Sequence, residues 1–210
     1  MINKKLNMNL TFNNYITEYI KKTRDIEYKH NGAFKSEIFI LYALHKLFNC
    51  NLFIESGLDN GVSTETLLSL IDCEYLGIDL NENCFASKID KLNFKFYSGD
   101  STKIIQDHIL NNQDSKISIF IDGPKNLQAI ELKNKLLNYD NVMFIALHDT
   151  YDGLQNDNQD RIFETYTNYE YNKKYFDVLN QKNVDDVTTI FNLLYGNKSY
   201  ADIYPSGPGI

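Results

Sequence analysis

The 210-residue chain has no tryptophan, three prolines and three cysteines. The cysteines, Cys50, Cys73 and Cys84, are odd in number and show neither CxxC spacing nor a neighbouring histidine pattern. That argues against a disulfide framework and a zinc site, and predicts buried or half-buried thiols in a reducing compartment. No stretch approaches the about 18 consecutive apolar residues of a membrane span, and the opening MINKKLNMNL lacks the apolar core of a signal peptide. A cytoplasmic protein with no membrane partner is expected. Basic residues are also short in supply: Lys+Arg 21 against Asp+Glu 28 gives a net charge of −7. Without a positive field to meet a phosphate backbone, no nucleic-acid partner is expected. What is present is ordinary for a globular protein: 43% hydrophobic and 23% charged residues exclude collagen-like, coiled-coil and wholly disordered chains. The length suits one domain with a small appendage.

The patterning changes near Asn51. Before it, residues 11–24 and 34–48 carry helical periodicity; in the second, Phe34, Ile38, Leu41, Leu44 or His45, and Phe48 recur at three- and four-residue steps. An exposed apolar face on this helix would suit a homodimer. After Asn51, short apolar runs at Leu52–Glu55, Tyr75–Asp79, Phe94–Tyr97, Ile117–Asp122 and Val142–Leu147 read as strands buried on both faces. Between them, segments near 63–72, 83–90, 101–111 and 127–139 have helical spacing. The alternation predicts a Rossmann-like, doubly wound α/β fold with a mostly parallel sheet and added N-terminal helices. Further along, a helix is expected at 161–168 and strands at Tyr175–Leu179 and Thr188–Leu194. Residues 1–50 are read as a helical extension and lid, 51–200 as the α/β domain, and 201–210 as an irregular tail.

In such a sheet ligands bind beyond the carboxyl ends of the strands. The first strand ends in Glu55-Ser56-Gly57-Leu58-Asp59-Asn60-Gly61-Val62-Ser63-Thr64, with Ser63 or Thr64 expected to cap the next helix. Gly57 and Gly61 allow a close approach of backbone to ligand. Asp59 stands where a dinucleotide-binding GxGxxG turn has its second glycine, and its carboxylate would repel a pyrophosphate. A ligand without phosphates, especially a cationic one, would tolerate it. Asp79 ends the second strand about 20 residues after Gly57, where an acid can accept ribose hydroxyls. Asp100 follows the third strand and can accept from an exocyclic amine such as adenine N6.

Together these residues resemble the class I S-adenosylmethionine (SAM)-dependent methyltransferases. Glu55-x-Gly57-x-x-x-Gly61-x-Ser63 is similar to the ExGxxxGxS form of the family's first motif, found in small-molecule and sugar methyltransferases and their cephalosporin-hydroxylase-like relatives. The resemblance covers about Leu52 to Leu194 and implies a seven-stranded sheet whose last strand is antiparallel. It implies SAM as cofactor, held by Glu55, Gly57, Gly61, Ser63, Asp79, Asp100 and Asp122, and a small-molecule acceptor.

The fourth strand leads to Asp122-Gly123-Pro124-Lys125 and the fifth to His148-Asp149. Here the resemblance is to metal-dependent O-methyltransferases of the catechol type. Asp122 and Asp149 are the candidate ligands of a Mg²⁺ ion that would lower the pKa of an acceptor hydroxyl. His148, Lys125 and Asp149 are the candidate catalytic residues, with His148 or Lys125 taking the proton. The expected activity is methyl transfer to an oxygen of a sugar-like or phenol-like molecule, under a cover formed by the N-terminal helices and Tyr151–Asp160. The alternatives are other chemistry on the same fold, hydroxylase-like, or a catalytically silent binding module.

Overall fold

The computed structural model describes residues 13–26, 33, 35–150 and 162–166, without the side chains of 13, 14, 16, 35, 36, 126, 149, 150 and 162–166. Two helices, α1 (Asn13–Thr23) and α2 (Lys35–Leu47), precede the sheet. Then follow β1 (Leu52–Ser56), α3 (Val62–Leu70), β2 (Glu74–Asp79), a single 3₁₀ turn (Phe85–Lys88) and β3 (Phe94–Ser98). The chain continues through α4 (Ser101–Asn111), β4 (Ile117–Ile121), α5 (Asn126–Leu136), β5 (Val142–Thr150) and β6 (Ile162–Tyr166).

Strand order is β3-β2-β1-β4-β5-β6; β1 to β5 run parallel and β6 lies antiparallel against β5. From β1 the chain winds toward β3, and from β4 it winds the other way. The carboxyl ends of β1 and β4 therefore flank a switch point, where loops diverge and leave a crevice.

Alternation of side chains across the pleat divides the core into two layers. Phe53, Tyr75, Phe120 and Phe144 face α1, α2 and α3, while Leu52, Ile54, Ile78, Ile119 and Leu147 face α4 and α5. The α2 side is rich in aromatic rings, among them Phe53 stacked on Tyr75 at 4.9 Å. β1 and β4 are buried along their whole length, as covered central strands require.

Four expectations are corrected. Residues 162–166 form a strand, not part of a helix over 161–168: Ile, Phe, Thr and Tyr favour extended backbone, and the free edge of β5 supplies the pairing. Helical spacing at 83–90 yields only the 3₁₀ turn. β3 is exposed at three of its five positions and half-buried at a fourth, because it pairs with β2 alone. The apolar face of α2 is not exposed: Ile38, Leu41, Tyr42 and Leu44 are completely buried against α1, α3 and the sheet, so it offers no dimer surface. The expected strands at 175–179 and 188–194, the tail, the loop 151–160, His30 and Phe34 lie outside the described residues. No helix among the described residues is long and apolar enough to cross a membrane.

Candidate active site

The turn after β1 is built around residues in the left-handed region: Gly57 at φ 83°, Asp59 at φ 43° and Gly61 at φ 74°. Asp59, the departure from the commonest glycine-rich pattern, occupies a conformation that aspartate tolerates better than most residues. Asp79 fixes this turn from the neighbouring strand end. Its Oδ2 accepts the N–H groups of Leu58 (2.8 Å) and Asp59 (3.1 Å), and its Oδ1 accepts that of Asn81 (2.8 Å). Across the switch point, the amides of Asp122 and Gly123 donate to the Ser56 carbonyl at 2.8 and 3.0 Å. This brings the ends of β1 and β4 so close that Gly57 has no room for a side chain.

Glu55 is fully buried beneath the turn. It accepts hydrogen bonds from Ser63 (2.5 Å), Thr64 (2.7 Å) and Tyr75 (2.5 Å). Burial pushes its carboxyl up to about 7, against the pull of the three hydroxyl groups. Ser63 and Thr64 therefore do not cap α3 as expected. Gly61 is the N-cap and the two hydroxyls tie the first helical turn to β1. Glu55 and Ser63 shape the turn from below and do not line the cleft, while a Cβ at Gly61 would lie 3.4 Å from side-chain atoms of Phe85 and Ala86.

The cleft, of about 540 Å³, opens at the strand ends and is lined by Gly57, Asp79, Asp100 and Gly123. Asp100 caps α4, accepting the Thr102 N–H at 2.9 Å, and is exposed toward the opening. The opposite wall comes from α5: Gln128, Glu131, Leu132 and Lys135. These were missed in the sequence, although their i, i+3, i+4, i+7 spacing marks one helical face.

A second group of residues lies on the α2 side of the strand ends. The β4–β5 register pairs Phe120 with Ala146, so the residues two positions on, Asp122 and His148, become neighbours. His148 Nδ1 is 2.8 Å from Asp122 Oδ1, and its Nε2 is 3.3 Å from Oε2 of Glu37, a residue of α2 that nothing in the sequence marked. Lys125 Nζ forms an ion pair with the same Asp122 oxygen. Burial alone would lower the His148 pKa; the two carboxylates outweigh it and push it up to about 10. Asp122 is half-buried, which works to raise its pKa, but the positive charges of His148 and Lys125 hold its carboxyl below the usual range. Nδ1 is hydrogen-bonded to Asp122, and Nε2 meets Glu37 at ion-pair distance without the alignment of a hydrogen bond; the two carboxylates together favour the protonated, positively charged ring.

Asp149 follows His148 on β5, and its side chain lies outside the described ones. Among the described residues no group of three or more His, Cys, Asp or Glu side chains is arranged to hold a metal. His45, left without a role in the sequence, places Nδ1 2.8 Å from Ser118 Oγ in the core, and burial lowers its pKa to about 4.

The strand order and the cleft at its reversal define a doubly wound α/β fold with a ligand cleft at the switch point. No family model and no curated protein matches the chain. Among solved structures it is similar to the O-methyltransferase TomG from Streptomyces achromogenes, involved in tomaymycin synthesis and in complex with SAM. That likeness has 15% identity and a TM-score of 0.43 over 64% of this chain and 65% of that one. It is also similar to the Bacillus cereus O-methyltransferase in complex with S-adenosylhomocysteine (SAH), at 19% identity and a TM-score of 0.44 over 68% of this chain and 69% of that one. A third is CmcI bound to Mg-SAM, at 16% identity and a TM-score of 0.38 over 53% of this chain and 52% of that one. The chain thus spans 65% of the length of TomG and 52% of that of CmcI.

Proposed function

We propose that the chain is a SAM-dependent methyltransferase acting on an oxygen of a small, phenol-like or sugar-like molecule. One observation carries the reading: Gly57, Asp79 and Asp100, from three different strand ends, meet on a single cleft of about 540 Å³. That volume lies within the roughly 300–1,000 Å³ of small-molecule sites. Its two strand-end carboxylates suit a hydroxyl-rich or cationic ligand and disfavour one with phosphates. In this reading Asp79 accepts from the ribose, Asp100 accepts from the adenine amine, and Gly57 and Gly61 shape the loop over the ligand. Glu55 and Ser63 support that loop, and Asp122 closes the site at β4. SAM supplies the electrophilic methyl group. The protein's task is then to orient the acceptor and remove its proton.

Lys125 is the exposed end of the charged group and reaches the acceptor, while Asp149 is the further acid at the end of β5. Asp122 is ionised and its side chain is 22% exposed, so it is an oxygen donor of the kind Mg²⁺ takes. With Asp149 it would hold that ion, which supplies Lewis-acid lowering of a hydroxyl pKa. Residues 1–50 together with 151–160 would cover the acceptor, and 188–194 would add a seventh, antiparallel strand. The free thiols of Cys50, Cys73 and Cys84 support a cytoplasmic location.

Calorimetric titration of SAM into wild-type protein and Asp79→Ala tests the reading. Loss of a carboxylate that binds ribose is expected to weaken binding about 10- to 100-fold. Equal affinity in a folded variant would refute the cofactor assignment.

A further inference from the structure

Among the described side chains of helix α2, the buried ones are hydrophobic except at two positions, His45 and Glu37. His45 bonds a serine hydroxyl deep in the core. Glu37 is 5% exposed and lies at the other end of the interface, beside the strand ends. A buried carboxylate is costly unless it is paired, and Oε2 of Glu37 lies 3.3 Å from Nε2 of the His148 ring, an ion-pair distance. Side-chain exposure rises steadily along the connected charges: Glu37 7%, His148 9%, Asp122 22%, Lys125 38%. The series is therefore anchored in α2 and opens at Lys125.

We propose that Glu37 is a positioning residue of the strand-end site. By gripping Nε2 of His148 from α2 it fixes the imidazole plane, directs Nδ1 onto Asp122, and leaves the Asp122–Lys125 pair as the part that meets the acceptor. The grip stands on geometry alone; only its role toward an acceptor rests on the methyltransferase reading. Nδ1 is hydrogen-bonded to Asp122 and Nε2 is buried facing Glu37, so neither is turned toward an acceptor hydroxyl. His148 thereby becomes a second positioning residue, and the group touching the acceptor lies at the open end. The pairing also ties the N-terminal helices to the site, since Glu37 and His148 come from different layers of the fold.

The test uses the full-length chain labelled with ¹⁵N-histidine, with the His148 ring signals assigned by their loss in His148→Gln. Glu37→Gln is expected to move the Nε2 resonance of His148, leave the signals of His45 and His108 in place, and leave SAH affinity by calorimetry unchanged. Glu37→Asp keeps the charge one methylene further from the ring and is expected to restore part of the wild-type shift. It also serves if the glutamine variant does not fold. An Nε2 resonance unmoved in both variants overturns the grip. Absence of SAH binding by the wild-type chain overturns instead the reading that gives the grip its role.

Discussion

At Gly57 a Cβ would lie 2.5 Å from the amide nitrogen of Gly123 and 2.7 Å from the carbonyl carbon of Asp122, both backbone atoms that cannot swing away. With φ at 83° the backbone adds its own penalty. Gly57→Ala is therefore expected to cost about 1–3 kcal/mol of stability, read from chemical denaturation, and to weaken SAM binding by spreading β1 from β4. A variant as stable as wild type would mean that the two strand ends are not held so close. Histidines supply a second test at this scale. His45 has a folded-state pKa of about 4 against an ordinary 6.5, so the unfolded chain takes up a proton before the folded one does. Its contribution is complete above about pH 6.5 and is lost as pH falls toward 4, amounting to at most about 3 kcal/mol. His148 has the opposite sign. Raised to about 10, it contributes fully below pH 6.5, and that contribution disappears as pH climbs through 10. Melting curves from pH 4 to 7 should flatten in His45→Asn if this account of the acid limb is right; an unchanged slope would assign it to other groups.

At the scale of elements, α2 is a core element and not an appendage. Leu41 is fully buried in the aromatic layer, so Leu41→Ala is expected to lower global stability by about 2–5 kcal/mol in a single cooperative transition. A small effect, or a separate early transition, would show that α1 and α2 unfold apart from the sheet. The parallel strands were legible because a strand covered on both faces must be apolar throughout, as LFIES and ISIFI nearly are. β6 was misread because a short run such as IFETY fits either a helix or a strand, and only the free edge of β5 decides between them. The turn after β1 was legible through Gly57 and Gly61 as a place of close backbone approach, and in the structure both take positive φ. The roles of Ser63 and Thr64 were not. Capping is a local expectation, whereas their actual partner, Glu55, lies on the neighbouring strand.

For the whole molecule, the winding of the chain out from β1 and then from β4 creates the cleft, and the sequence carries that winding in its alternation of runs. Asp79 and Asp100 could be placed in the cleft from their position at strand ends alone. Glu37 could not, because its meeting with His148 depends on how α2 crosses the sheet, which no spacing encodes. The α5 wall lay between these cases, its helical face visible in the sequence but the surface it faces known only from the fold. The central claim is that this cleft holds SAM, and the direct measurement is isothermal titration of SAH into the wild-type chain, first with EDTA and then with Mg²⁺. The account predicts one site of micromolar affinity, about −8 kcal/mol, that is lost or weakened in Asp79→Ala. Absence of binding in both buffers, with the protein shown to be folded, would contradict it.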